Sequence, residues 1–149
     1  MPLARQLTAA AAALIAITSA AFAAAAPVEV RVTGLERVGA VRLMIYADEE
    51  TFLKAPMAKL EAPIDENGVA VFRISHLEPG EYAFAAYHDA NGDGVLNRNR
   101  IGLPKEAFAF SNGVVPRLRR PSFRRTKVTI DGPSAIGFAL GRVEGADDD

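Results

Sequence analysis

The chain has 149 residues, a formal net charge of −1 and no cysteine. Its length fits one domain at the usual ~100–200 residues per domain, and the near-neutral charge argues against a general nucleic-acid or membrane-surface binder. The missing cysteine excludes disulfides, thiolate catalysis and zinc–thiolate sites, so stability has to come from packing, hydrogen bonds or a bound ion.

The first element in the chain reads as an export signal. Arg5 is the only charge near the start, and Thr8 to Ile17 is almost wholly apolar, matching the ~7–15 residues of an h-region. Ala21-Phe22-Ala23 and Ala24-Ala25-Ala26 both read as A-x-A cleavage sites. A membrane anchor is the competing reading, but a spanning helix wants ~20 strongly apolar residues. Most of this run is alanine, with only Leu14, Ile15 and Ile17 bulky. Residues 1–26 are therefore expected to be a signal peptide cleaved after Ala23 or Ala26. Residues 27–143 are expected to form a single domain, followed by an acidic tail at 144–149. No later segment is apolar for long enough to span a bilayer, so the product is expected in the periplasm or secreted.

Alternation with period two then recurs along the chain, which is the signature of strands with one buried face. Val28, Val30 and Val32 share one side of the first run; Val41, Leu43 and Ile45 share one side of the second. Asp48-Glu49-Glu50-Thr51-Phe52-Leu53 is the one plausible helical turn, with Asp48 as its cap and Phe52 turned inward. Ala70, Phe72 and Ile74 alternate next, then Tyr82, Phe84 and Ala86. Near the end come Val128 with Ile130, and Ile136 with Phe138 and Leu140. Gly39, Asn67-Gly68, Pro79-Gly80 and Asp131-Gly132-Pro133 punctuate these runs as turns. Six short strands with no long amphipathic helix predict an all-β, antiparallel Greek-key sandwich of the immunoglobulin or transthyretin type. Within it, Leu77-Glu78-Pro79-Gly80-Glu81-Tyr82 has the form of a tyrosine corner between sheets.

Between Asp89 and Arg125 the alternation fails, although Ile101, Leu103, Phe108, Phe110 and Phe123 lie there. Loops this long are uncommon in compact domains and are usually functional or disordered. The aromatics predict one long ordered loop, and a site is expected in it.

Asp89-Ala90-Asn91-Gly92-Asp93-Gly94-Val95-Leu96-Asn97 is the most specific local motif. Oxygen-bearing side chains at alternate positions with a glycine after the third match the front half of a calcium loop. Asp89, Asn91, Asp93, the Val95 carbonyl and Asn97 would be the ligands. The twelfth position, where a bidentate carboxylate belongs, is Arg100, so Glu106 would have to contribute. An Asx-rich turn whose side chains bond their own backbone explains the same residues without an ion. Neither His76 nor His88 belongs to a spaced ligand set, and Ser111 has no context that would activate it as a nucleophile. The basic run Arg117, Arg119, Arg120, Arg124, Arg125 and Lys127 reads as a solvated face rather than a polyanion site.

Taken together, residues 80–112 resemble the hallmark stretch of an exported bacterial family, domain of unknown function 2141. The resemblance is carried by Gly80, Tyr82, His88, Asp89, Asn91, Asp93 and Gly94, then by Gly102, Pro104, Glu106, Phe108, Phe110, Ser111 and Asn112. Pro121-Ser122-Phe123 continues it, and the likeness runs from about Val28 to Leu140. It implies a small exported sandwich domain and brings no reaction, ligand or partner. It also implies that the Asp/Asn loop and the Glu106–Asn112 segment act as one unit, with Phe108 and Phe110 pinning that segment to the sandwich.

The functional expectation is a non-catalytic envelope module that binds a protein or glycan, with calcium as its only candidate cofactor. A saccharide hydrolase using Asp89, Asp93 and Glu106 is the alternative. Nucleic acid and a membrane span in the mature chain are not expected.

Overall fold

The computed structural model describes residues 24–116 and 119–143. Most of the expected signal peptide, Arg117 of the basic run and the acidic tail lie outside the described residues. Among the described residues, eight strands form in chain order: β1 (Ala26–Thr33), β2 (Ala40–Tyr46), β3 (Ala58–Pro63), β4 (Ala70–Leu77), β5 (Gly80–Asp89), β6 (Phe108–Phe110), β7 (Lys127–Ile130) and β8 (Ser134–Ala139). A 3-10 turn at Ser111–Gly113 and one helical turn, α1 (Phe123–Thr126), lie between β6 and β7.

The strands make two sheets, as the sandwich expectation requires. One has the order β4-β1-β8, and the other runs β3-β2-β5-β6 with β7 also on β5. All pairs are antiparallel except β1 with β8, which run parallel. Between the sheets lies the core predicted from alternation: Val28, Val30, Val32, Val41, Leu43, Ile45, Phe72, Phe84, Ile130 and Phe138 are buried there. Gly141, just past β8, exchanges backbone hydrogen bonds with Phe108 of β6, which joins the two sheets along that edge.

The tyrosine corner is present. Strand β4 belongs to the first sheet and β5 to the second, and the Tyr82 hydroxyl donates to the Glu78 carbonyl at 2.9 Å across the crossover. Around Asp48 the chain makes a hydrogen-bonded turn instead of a helix. Even so, Asp48 Oδ1 accepts from the Thr51 amide and hydroxyl, both at 2.7 Å, and Phe52 is buried.

Two strands were not anticipated. Strand β3 turns only Ala58, Leu60 and Ala62 towards the core, too little apolar bulk to show in the sequence; its pairing with β2 makes it a strand. Strand β6 is three residues long and buried on both sides, so no alternation can mark it.

Candidate functional site

Strand β5 is buried along its length from Tyr82 to Asp89, which means the second sheet is covered on both faces. Tyr82, Phe84 and Ala86 face the main core. Ala83, Ala85, Tyr87 and Asp89 face the opposite way, where Tyr46, Phe52, Phe108, Phe110, Phe123 and Val143 form a second cluster with the first three. The small side chains of Ala83 and Ala85 leave room for rings, and Phe52 fills it. Its ring centroid lies 5.3, 5.9 and 5.8 Å from those of Tyr46, Phe110 and Phe123. Edge-on pairs such as Phe52 with Tyr46 and with Phe123 add ~0.5–1.5 kcal/mol each beyond area burial. The described part of the long segment is thus ordered by its aromatics, with Phe108 and Phe110 pinning it as expected.

The Asp89 loop sits at the end of this outer face. Asp89 is fully buried. Its Oδ1 accepts from the Gly92 amide at 2.8 Å and its Oδ2 from the Gly94 amide at 2.9 Å. Arg42 of β2 approaches the same Oδ2 with Nε at 3.0 Å and reaches Glu61 with Nη1 at 2.8 Å. The hydrogen bond to Asp89 holds the Arg42 guanidinium above its ordinary pKa. Gly39 backs the arrangement: with φ of 82°, it lets the Asp89 carbonyl come within 2.2 Å of where a Cβ would stand.

The side-chain oxygens of Asn91, Asp93 and Asn97 are also engaged. Asn91 Oδ1 accepts from the Asp93 amide, and Asp93 Oδ1 accepts from the Val95 amide. Asp93 Oδ2 takes the side-chain amides of Asn97 and Asn91, both at 2.9 Å. The Asn97 side chain, the Val95 amide and Asn91 together lower the Asp93 pKa. Glu106 Oε2 accepts from the Asn97 amide at 3.0 Å, which ties the loop to the segment leading into β6. Among the described residues, no three or more His, Cys, Asp or Glu side chains are grouped so as to hold a metal ion. The structure therefore gathers Asp89, Asn91, Asp93, Asn97 and Glu106 into one bonded unit. Their oxygens face amides, with Arg42 as the neighbouring cation.

His88 and Ser111 are buried and structurally engaged. The His88 ring bonds the Val38 carbonyl through Nε2. Ser111 Oγ accepts from the Phe84 amide at 3.0 Å and donates to the Thr126 carbonyl. Asn112, at a φ of 63°, donates to the Arg125 and Lys127 carbonyls at 3.3 and 3.0 Å.

Beside this unit lies a cleft of about 330 Å³ on the outer face of the second sheet. Its walls include Met44, Leu96, Leu103, Phe108 and Phe110, and Arg98, Arg119 and Arg120 also line it. A second groove, of about 350 Å³, lies towards β3 and shares Met44, Tyr46 and Tyr87 with the first. Sequence reasoning did not find this cleft. The available signal was Met44 and Tyr46 alternating with core residues on a face that a two-layer sandwich leaves to water.

The sequence matches the family described as uncharacterized protein conserved in bacteria (DUF2141) over residues 30–136. No curated protein and no solved structure matches the chain.

Proposed function

We propose, from the premise that the chain belongs to the DUF2141 family, that it is an exported, non-catalytic binding domain of the cell envelope. Its ligand site is the cleft between the second sheet and the long loop. The observation that carries this reading is the cleft itself: about 330 Å³, walled by Met44, Leu103, Phe108 and Phe110, with arginines among the lining. Ligand pockets of ~300–1,000 Å³ with mostly apolar walls and a few placed polar groups are the usual form of a small-molecule site. That size favours a small molecule over a whole protein surface. No helix among the described residues is long and apolar enough to cross a membrane.

The Asp89 loop acts in this reading as a strut. Its burial against Arg42 and its bond to Glu106 hold the segment that forms one wall of the cleft. The saccharide-hydrolase alternative finds less support. Asp89 is fully buried, with its oxygens committed to two amides and a guanidinium, so a sugar has no access to it. Export rests on the n-region, apolar stretch and small-residue sites at the start of the chain. Cleavage after Ala23 suits the fold better than cleavage after Ala26, because Ala26 is buried in β1 and pairs with Leu77.

The reading is tested by purifying the exported protein natively, extracting it with solvent and identifying bound small molecules by mass spectrometry. A Leu103→Glu variant, which puts a charge into the apolar wall, serves as control. A compound present in the wild-type extract and lost from the variant supports the proposal. Indistinguishable extracts from the two folded proteins count against it.

A further inference from the structure

Among the described residues, the charges lining the cleft are all of one sign. Arg98, Arg119 and Arg120 line it and, among the described residues, no aspartate or glutamate does, although the chain as a whole carries 18 acidic against 17 basic residues. Arg119 and Arg120 are exposed, and among the described residues neither makes an ion pair. Arg98 donates one bond from Nη1 to the Gly102 carbonyl at 2.9 Å, which leaves other guanidinium donors for a ligand. Elsewhere on the same sheet arginine is neutralised, as Arg42 is by Asp89 and Glu61.

From this asymmetry we infer that the cleft binds a small amphiphilic anion, with its apolar body on Leu103, Phe108 and Phe110 and its anionic group on Arg98, Arg119 and Arg120. The inference rests on the cleft being a ligand site and adds the class of ligand. With three cations and, among the described residues, no carboxylate in its lining, the cleft carries a positive charge that an anion would neutralise. A guanidinium is planar and weakly hydrated, so it pairs with a phosphate or carboxylate through two parallel bonds. The apolar wall adds affinity with every methylene buried against it, which a free inorganic anion cannot collect.

The test is calorimetric titration of the exported protein with decyl phosphate, decanoate, decanol, decyltrimethylammonium and inorganic phosphate. Both amphiphilic anions are expected to bind about tenfold or more tightly than decanol, and the cation and inorganic phosphate more weakly than decanol. Added salt should narrow the gap between anion and alcohol, since exposed charges are screened. The relative strength of decyl phosphate and decanoate identifies the preferred head group. In an Arg119→Ala/Arg120→Ala variant of unchanged melting temperature, the anion preference should vanish while decanol binding persists. Decanol binding as tightly as the anions, or a preference that survives in the double variant, overturns the anion inference and leaves the cleft as a ligand site. Failure of every amphiphile to bind overturns both.

Discussion

Ser111 Oγ lies 3.0 Å from the Phe84 amide nitrogen and accepts its hydrogen bond. Phe84 is where the neighbour of β5 changes: β7 pairs Gly80 to Ala83, and β6 pairs Ala85 to Tyr87. Ser111 fills that gap as a side-chain substitute for the missing strand, and its hydroxyl also reaches the Thr126 carbonyl. One hydroxyl thereby joins β5, the turn after β6 and α1, which carry the rings under the cleft.

A Ser111→Ala variant leaves a buried amide and a buried carbonyl unpaired. Losing such partners costs about 1–3 kcal/mol, measurable as a lower urea midpoint at unchanged slope. A change below about 0.5 kcal/mol contradicts the bridging role.

The Asp89 loop should behave as a latch closed by Arg42. Asp89→Ala deprives the Gly92 and Gly94 amides of their acceptors and is expected to cost about 2–3 kcal/mol. Arg42→Met should also destabilise, because it leaves a fully buried carboxylate without its cation. Millimolar calcium should leave the wild-type melting temperature where a chelator leaves it. A rise with calcium that Asp89→Asn and Asp93→Asn abolish would show that the loop holds the ion.

Gly39 and Gly92 give a controlled comparison. Both have positive φ, 82° and 73°, but a Cβ at Gly39 meets the Asp89 carbonyl at 2.2 Å whereas one at Gly92 meets nothing within 4 Å. Gly92→Ala should cost about 1–2 kcal/mol from its backbone conformation alone. Gly39→Ala should cost that plus another ~1–3 kcal/mol for the clash. Equal melting temperatures for the two variants would contradict the close approach of residue 39 to the loop.

Much of the fold was legible because it is local. Val28-Val30-Val32 and Val41-Leu43-Ile45 declare their buried faces by spacing alone, and Tyr82 declares the corner by its distance from Glu78. The parallel pairing of β1 with β8 was not legible, since it joins residues about a hundred positions apart, such as Val30 and Ile136. For the same reason the Asp89 motif was only half readable. Its oxygens sit within nine residues, but Arg42, its cation, lies 47 residues away. The calcium expectation was drawn from the loop alone, without that arginine. The cleft was hidden because its walls come from β2, β6 and the long loop, none of which shows a pocket by itself.

Acid should weaken the loop in a defined window. The Asp93 carboxylate is held below its ordinary pKa by the Asn97 side chain, the Val95 amide and the Asn91 side chain. A depressed folded-state pKa means the contribution is present above the unfolded value of ~3.9. It is lost as pH falls through the lower folded value. Asp48, lowered first by the Thr51 amide, acts in the same direction. The melting temperature should therefore fall more steeply below about pH 4 in wild type than in Asp93→Asn. Parallel pH profiles for the two proteins would remove Asp93 from the explanation.

Amide chemical-shift mapping of the protein with decyl phosphate tells a ligand site on the outer face of the second sheet from one elsewhere. Saturable shifts are expected, confined to Met44, Leu103, Phe108, Phe110 and the amides around Arg98 and Arg120. Shifts centred instead on Val28, Arg73 and Ser134, which line the groove on the first sheet, or scattered shifts that do not saturate, would contradict a site on that outer face.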